Sequence, residues 1–185
     1  YDPVIQAVSG LTSVQAGSDE ARPRLIRTVL PDKLTAITAA QAITAALFAR
    51  QRNGEGQHLR LSMFDTVLSF LWASDMNAET RLGRAPSPRR PASEIDLIFA
   101  TADGYMTVAT NTDREWAALT RALERPEWLT DARFASPVKR SENINTRLAL
   151  VQAVLETRDT TQWLALLEAE GVPCAPVLSR AELIA

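Results

Sequence analysis

Cysteine and histidine are almost missing from this chain of 185 residues, which has one of each, Cys174 and His58. A single cysteine excludes an internal disulfide and suits a reducing compartment, so a cytoplasmic location is expected. No Cys/His cluster with metal-ligand spacing can be drawn, and no metal is expected. An excess of positive charge is also lacking, with 20 Lys and Arg against 22 Asp and Glu. Without a basic block, a nucleic-acid role has no electrostatic support. Nor is there an apolar run long enough to span a membrane: the longest, residues 36–49, is broken by Thr38, Gln41 and Thr44. Neither a methionine nor a signal-like segment opens the chain at Tyr1, so the sequence reads as an internal piece of a longer protein. No internal repeat is visible.

What is present is enough apolar content, 46% of residues, to bury a core in one large domain or two small ones. The stretch Leu30-Pro31-Asp32-Lys33 stands out because it runs directly into an alanine-rich helical pattern over residues 34–52. A carboxylate at that place can accept bonds from orphan backbone N–H groups, and the helix macrodipole favours negative charge there. Asp32 is therefore either a cap or a nucleophile. Leu34, Ile37, Ile43 and Leu47 sit among alanines, a pattern that predicts a helix with close neighbours on most sides, ended by Asn53-Gly54.

Before this helix, residues 1–10 read as a short helix with Asp2 as cap, Pro3 in the first turn and Gly10 as stop. A polar loop over 17–24 and a short extended run over 25–30 follow. After it, His58-Leu59-Arg60-Leu61-Ser62-Met63 alternates as a half-buried strand does, with His58 on the polar side as a surface residue. Residues 64–76 read as a helix with Phe64, Val67, Leu68, Leu71 and Trp72 on its inner stripe. Helix, strand, helix in this order suggests part of an α/β layer structure. Residues 82–93 then change character, with three prolines, a glycine and three arginines, and mark a linker. Beyond it, 97–101 and 105–109 flank Ala102-Asp103-Gly104 as a hairpin. Helices are expected over 113–123, 145–157 and 160–170, and an extended segment over 172–177 is pinned by Pro173 and Pro176. Cys174 reads there as a small buried hydrophobe with nothing nearby to activate it.

Five motifs in order, Tyr-Asp-x-x-x-Gln-Ala from Tyr1, Asp32-Lys33-x-Thr35, Ala39-Ala40-x-Ala42-Ile43-x-Ala45-Ala46-Leu47, Arg52-x-Gly54-x-Gly56-Gln57 and Leu61-Ser62-Met63, resemble those of the family III CoA-transferases. The second half resembles the family's small domain through Asp103-Gly104, Pro126-Glu127-Trp128 and Val172-Pro173-Cys174-Ala175-Pro176-Val177. One departure is Ala36, where a glycine is frequent in the family. The resemblance implies an α/β fold: a partial Rossmann-like large domain over 1–82, the linker at 83–93, and a smaller α+β domain over 94–185. It further implies a fragment of an interlaced homodimer. By the same resemblance Asp32 matches the catalytic nucleophile, and Tyr1 and Asp2 match a pair lying beside bound coenzyme A.

The function so implied is transfer of CoA from an acyl-CoA to a carboxylic acid through an aspartyl-CoA thioester on Asp32, without a metal. The isolated fragment is expected to be inactive. Two other readings remain. The α-methylacyl-CoA racemases resemble the chain around Asp32, but they carry histidine where this sequence has Tyr1, and tyrosine is a poor base near neutral pH. Alternatively, the chain is a non-catalytic fragment or dimerisation module derived from such an enzyme.

Overall fold

The computed structural model describes residues 1–72, 75–76, 83 and 95–184. The chain divides into two compact units, Tyr1–Ile95 and Asp96–Ala185. The expected linker over 83–93 lies outside the described residues except for Gly83.

In the first unit the described elements are all helical: α1 (Asp2–Val8), α2 (Leu11–Ala16), α3 (Leu30–Asn53) and α4 (Met63–Trp72). Pro3 lies in the first turn of α1, where its missing N–H costs nothing, but the cap position belongs to Tyr1 and not Asp2. Helix α2 was not anticipated, because β-branched Thr12 and Val14 dilute its pattern. It is bounded by Gly10 and Gly17, each at φ 82° in the left-handed region where a side chain would be strained. The run over 25–30 forms no strand; the Gln6 side chain holds it instead, accepting from the Ile26 N–H at 2.9 Å.

Helix α3 begins at Leu30, four residues before the pattern over 34–52, because Pro31 fits its first turn. It ends as expected, on Gly54 in the left-handed conformation. The expectation that α3 is buried on most sides fails: Ile37 is 68% and Phe48 62% exposed, and Ile43 and Leu47 are more than half exposed. Its alanines make room for close neighbours, but the described residues supply few. The strand expected over 58–63 is likewise absent. Those residues are exposed and irregular up to Met63, since no described segment offers them a ladder of backbone partners. The expected α/β character of this unit is therefore not seen among the described residues. In α4 the inner stripe is Val67 and Leu71, packed with Leu11, while Trp72 is 53% exposed.

The second unit holds the sheet, three antiparallel strands in the order β1 (Ile98–Ala100), β2 (Tyr105–Val108), β3 (Cys174–Pro176). Phe99 pairs with Met106 across the expected hairpin, and Val108 pairs with Cys174. Phe99, Met106 and Val108 face the core, whereas Ile98 and Tyr105 face solvent, the alternation of a sheet covered on one side. Helices α5 (Asp113–Ala122), α6 (Pro137–Glu142), α7 (Ile144–Leu155) and α8 (Thr160–Ala169) cover that side, with a 3-10 turn at Pro126–Leu129. Thr112 and Glu115 cap α5 reciprocally, side chain to backbone in each direction. On the open edge of β1, the Gln152 amide from α7 both accepts from and donates to the Ala100 backbone at 3.0 Å.

Asp103 ties the hairpin to α8. Its Oδ1 accepts from the Thr160 N–H at 2.8 Å, the Thr160 hydroxyl at 2.7 Å and the Thr101 hydroxyl at 3.1 Å. The Thr160 backbone and then its hydroxyl hold this carboxyl below the usual aspartate range. A carboxyl depressed in the folded state adds stability above its unfolded pKa, and that contribution is lost as pH falls through the folded value. Asp103→Asn should therefore lower the denaturation midpoint at neutral pH, with the gap to wild type closing as pH drops below the normal carboxylate range. Urea titrations of both chains across that range check it.

Candidate active site

The N-terminus of α3 is where the sequence placed the chemistry, and its orphan donors decide what Asp32 can do. The Leu30 N–H donates to the Thr28 carbonyl at 2.9 Å, and the Lys33 N–H donates to the Val29 carbonyl at 3.1 Å. Pro31 has no N–H. The Asp32 N–H donates to Oδ2 of Asp2, 3.2 Å away. The carboxylate serving this helix start is thus Asp2, thirty residues earlier, and not Asp32.

Asp2 suits that task because α1 buries it. It is 6% exposed, and its Oδ1 accepts from Gln6 Nε2 at 2.7 Å, one turn along the same helix. The Gln6 amide also reaches the Ile26 and Thr28 carbonyls, at 3.4 and 3.3 Å. Two polar side chains of α1 thereby fix both the segment entering α3 and its first turn. A signal for this lay in the sequence, in the acid and amide spaced four apart on a short helix. It could not show that they face another helix and not their own.

Asp32 itself is exposed in the first turn of α3, and its carboxylate makes no hydrogen bond or ion pair among the described residues. Lys33, next to it, donates to the Thr28 hydroxyl at 2.7 Å. Of the two roles open to Asp32, the cap is filled by another residue and the carboxylate is left unengaged. The engaged N–H groups around it mean that the first turn of α3 offers no spare backbone donor to an oxyanion forming there. Tyr1 is 99% exposed; its carbonyl accepts from the Val4 and Ile5 N–H groups, both at 3.1 Å. The structure joins Asp2 to Asp32 but gives the Tyr1 phenol no contact. His58 is exposed in the irregular stretch after α3.

Cys174 does not compete as a nucleophile, since burial and then the nearby Glu168 charge push its thiol up. An open depression of about 440 Å³ on α4, lined by Asp65, Leu68, Ser69 and Trp72, includes none of the candidate site residues Tyr1, Asp2 and Asp32. Among the described residues no group of three or more His, Cys, Asp or Glu is placed to hold a metal, and no helix is long and apolar enough to cross a membrane.

The order of these motifs and the fold that carries them have close counterparts. The family model for CoA-transferase family III matches residues 1–185, and the chain belongs to that family. An acetyl-CoA:oxalate CoA-transferase from Acetobacter aceti is 30% identical over 98% of this chain and 47% of its own length. A succinyl-CoA:mesaconate CoA-transferase from Haloarcula hispanica is 30% identical over 99% of the chain and 46% of its own length. Among solved structures, that of a hypothetical protein from Mycobacterium tuberculosis superposes with a TM-score of 0.82 at 27% identity, over 99% of this chain and 49% of that one. A CAIB/BAIF family protein from Brucella suis gives 0.76 at 27% identity, over 100% and 49%. The chain spans about half the length of the relatives it matches.

The two aspartates should separate cleanly in stability. Asp2→Ala removes a buried acceptor from both Gln6 and the α3 start and should cost about 1–3 kcal/mol. Asp32→Asn, which breaks no contact, should stay within about 0.5 kcal/mol of wild type. Chemical denaturation of the two variants measures the difference.

Proposed function

We propose that this chain carries the nucleophile-bearing part of a CoA-transferase, which moves CoA from an acyl-CoA thioester to a carboxylic acid. The observation that carries the reading is the unengaged carboxylate of Asp32 at the start of α3, with Asp2 doing the capping. Membership of a family whose relatives bear CoA-transferase names supports the class of reaction.

In this reading an Asp32 oxygen attacks the thioester carbonyl carbon, the carbon–sulfur bond breaks, and CoA leaves as thiolate, with the acyl group now joined to Asp32 as a mixed anhydride. The thiolate then attacks Cγ of Asp32 and expels the donor's acyl group as a free carboxylate, leaving an aspartyl-CoA thioester. The acceptor carboxylate attacks the same Cγ and displaces the thiolate, and the thiolate takes the new acyl carbon, restoring Asp32. Each step exchanges one anion for another, so no proton, metal or redox partner is needed. What the protein must provide is an ionised, unencumbered carboxylate and donors for each oxyanion; those donors come from outside the first turn of α3.

Tyr1 is assigned to the CoA side of the site, consistent with a phenol that is spent on no internal contact. The working unit is a homodimer of chains about twice this length, and the isolated 185 residues are inactive. The exposed apolar residues of α3 support a need for further polypeptide against it.

The test is made on a protein of the relatives' full length containing this sequence. Incubation with acyl-CoA followed by hydroxylamine should mark Asp32 in peptide mass spectra, and Asp32→Asn should lower transfer by at least a thousandfold with the fold retained. A mark on another residue, or full transfer in Asp32→Asn, removes the assignment. Exchange of the α-proton without CoA transfer would establish the racemase reaction instead.

A further inference from the structure

In the second unit two guanidinium groups converge on one tryptophan. Arg140 of α6 and Arg147 of α7 place their central carbons 5.7 and 6.0 Å from the ring centroid of Trp116 on α5. Other sides of that ring are apolar: Trp128 stacks on it with 13° between planes, and Phe134 meets it edge-on.

The charges here do not balance. Arg140 is buried; it is ion-paired with Asp113 and donates to the Phe134 carbonyl at 3.1 Å. The Asp113 side chain is 74% exposed, so solvent screens much of its charge. The neighbouring Arg133 is already matched by Asp131. The Arg147 side chain has no hydrogen bond and no ion pair among the described residues, although it is half-buried. Burial, and then the charge of Arg140, hold its guanidinium below the usual arginine range. The indole N–H of Trp116 is fully buried and has no acceptor among the described residues. Of two cations and a buried donor, only Arg140 thus has a carboxylate partner among the described residues.

We propose that this cluster is a binding site for a small oxyanion, a carboxylate or phosphate group held by the Arg147 fork, with Arg140 and the Trp116 indole N–H as further donors. A guanidinium presents paired donors that match two oxygens of such a group. A bound anion also removes the repulsion between the two arginines and gives the indole its missing acceptor. The competing account is that both arginines merely stack on the aromatic face, a cation–π arrangement that binds nothing further. The inference does not rest on the role of Asp32.

The test titrates the 185-residue chain separately with inorganic phosphate and with acetate at fixed ionic strength, with chloride as control. The readouts are the NMR resonances of the Trp116 indole N–H and the Arg147 Nε–H. Both should move saturably with phosphate, acetate or both, and the tighter of the two anions identifies the preferred group. In Arg147→Gln the affinity should fall at least tenfold, with Arg147→Lys, which keeps the charge but loses the fork, in between. A response no larger than that of chloride, or one that leaves both wild-type resonances in place, overturns the site whether or not the variants fold. Undiminished affinity in a folded Arg147→Gln does the same.

Discussion

One hydrogen bond between distant parts of the chain sets the geometry of the first unit: the Asp32 N–H donating to the buried carboxylate of Asp2. Proline at position 31 lets the helix begin early but supplies no donor, and the cap position is held by Val29, whose side chain cannot accept. The helix start therefore needs an acceptor from elsewhere, and α1 brings one. Because Gln6 steadies the same carboxylate and also grips residues 26–28, a short helix of seven residues controls where a helix of twenty-four begins. The chemical result is a division of labour between two aspartates, one buried and fully used, the other exposed and unengaged.

The two units differ in how much of their stability they contain. Among the described residues, buried apolar side chains number three in the first cluster, Leu11, Val67 and Leu71, and sixteen in the second. The described part of the first unit thus buries far less apolar side chain than the second, and the chain spans about half the length of its relatives. The second closes a core of its own around Trp163, Phe134 and Leu155.

Most of the second unit was legible in the sequence because its signals are local. Asp103-Gly104 between two β-rich runs announced the hairpin, and apolar spacing over 113–123, 145–157 and 160–170 announced three of the helices. The antiparallel place of 174–176 was not legible, since nothing in two prolines and a cysteine says which strand they join. In the first unit the alanine-rich helix and its glycine stop were read correctly, whereas its burial was not. Composition reports what a helix is made to touch, and among the described residues little touches the apolar side chains of α3. The strand expected over 58–63 failed for the same reason, because alternation marks a segment able to join a sheet without supplying the sheet. At the site, Asp32 was visible as a carboxylate at a helix start. That Asp2 would relieve it of capping depended on a contact across thirty residues, which no local pattern encodes.

The register Val108 with Cys174 has a consequence for the order of events during synthesis. The middle strand of the sheet is made some sixty-six residues before the segment that pairs with its second side, a separation that follows from those two positions. Until residues 174–176 emerge, β2 carries a row of bare N–H and C=O groups beside Met106 and Val108, an invitation to strands of other chains. The opposite edge is spared this exposure once α7 forms, because the Gln152 amide seals β1 in the manner of a strand. A nascent chain stalled between those two points would be the species most prone to aggregate, and translation speed over 156–173 would govern how long it persists.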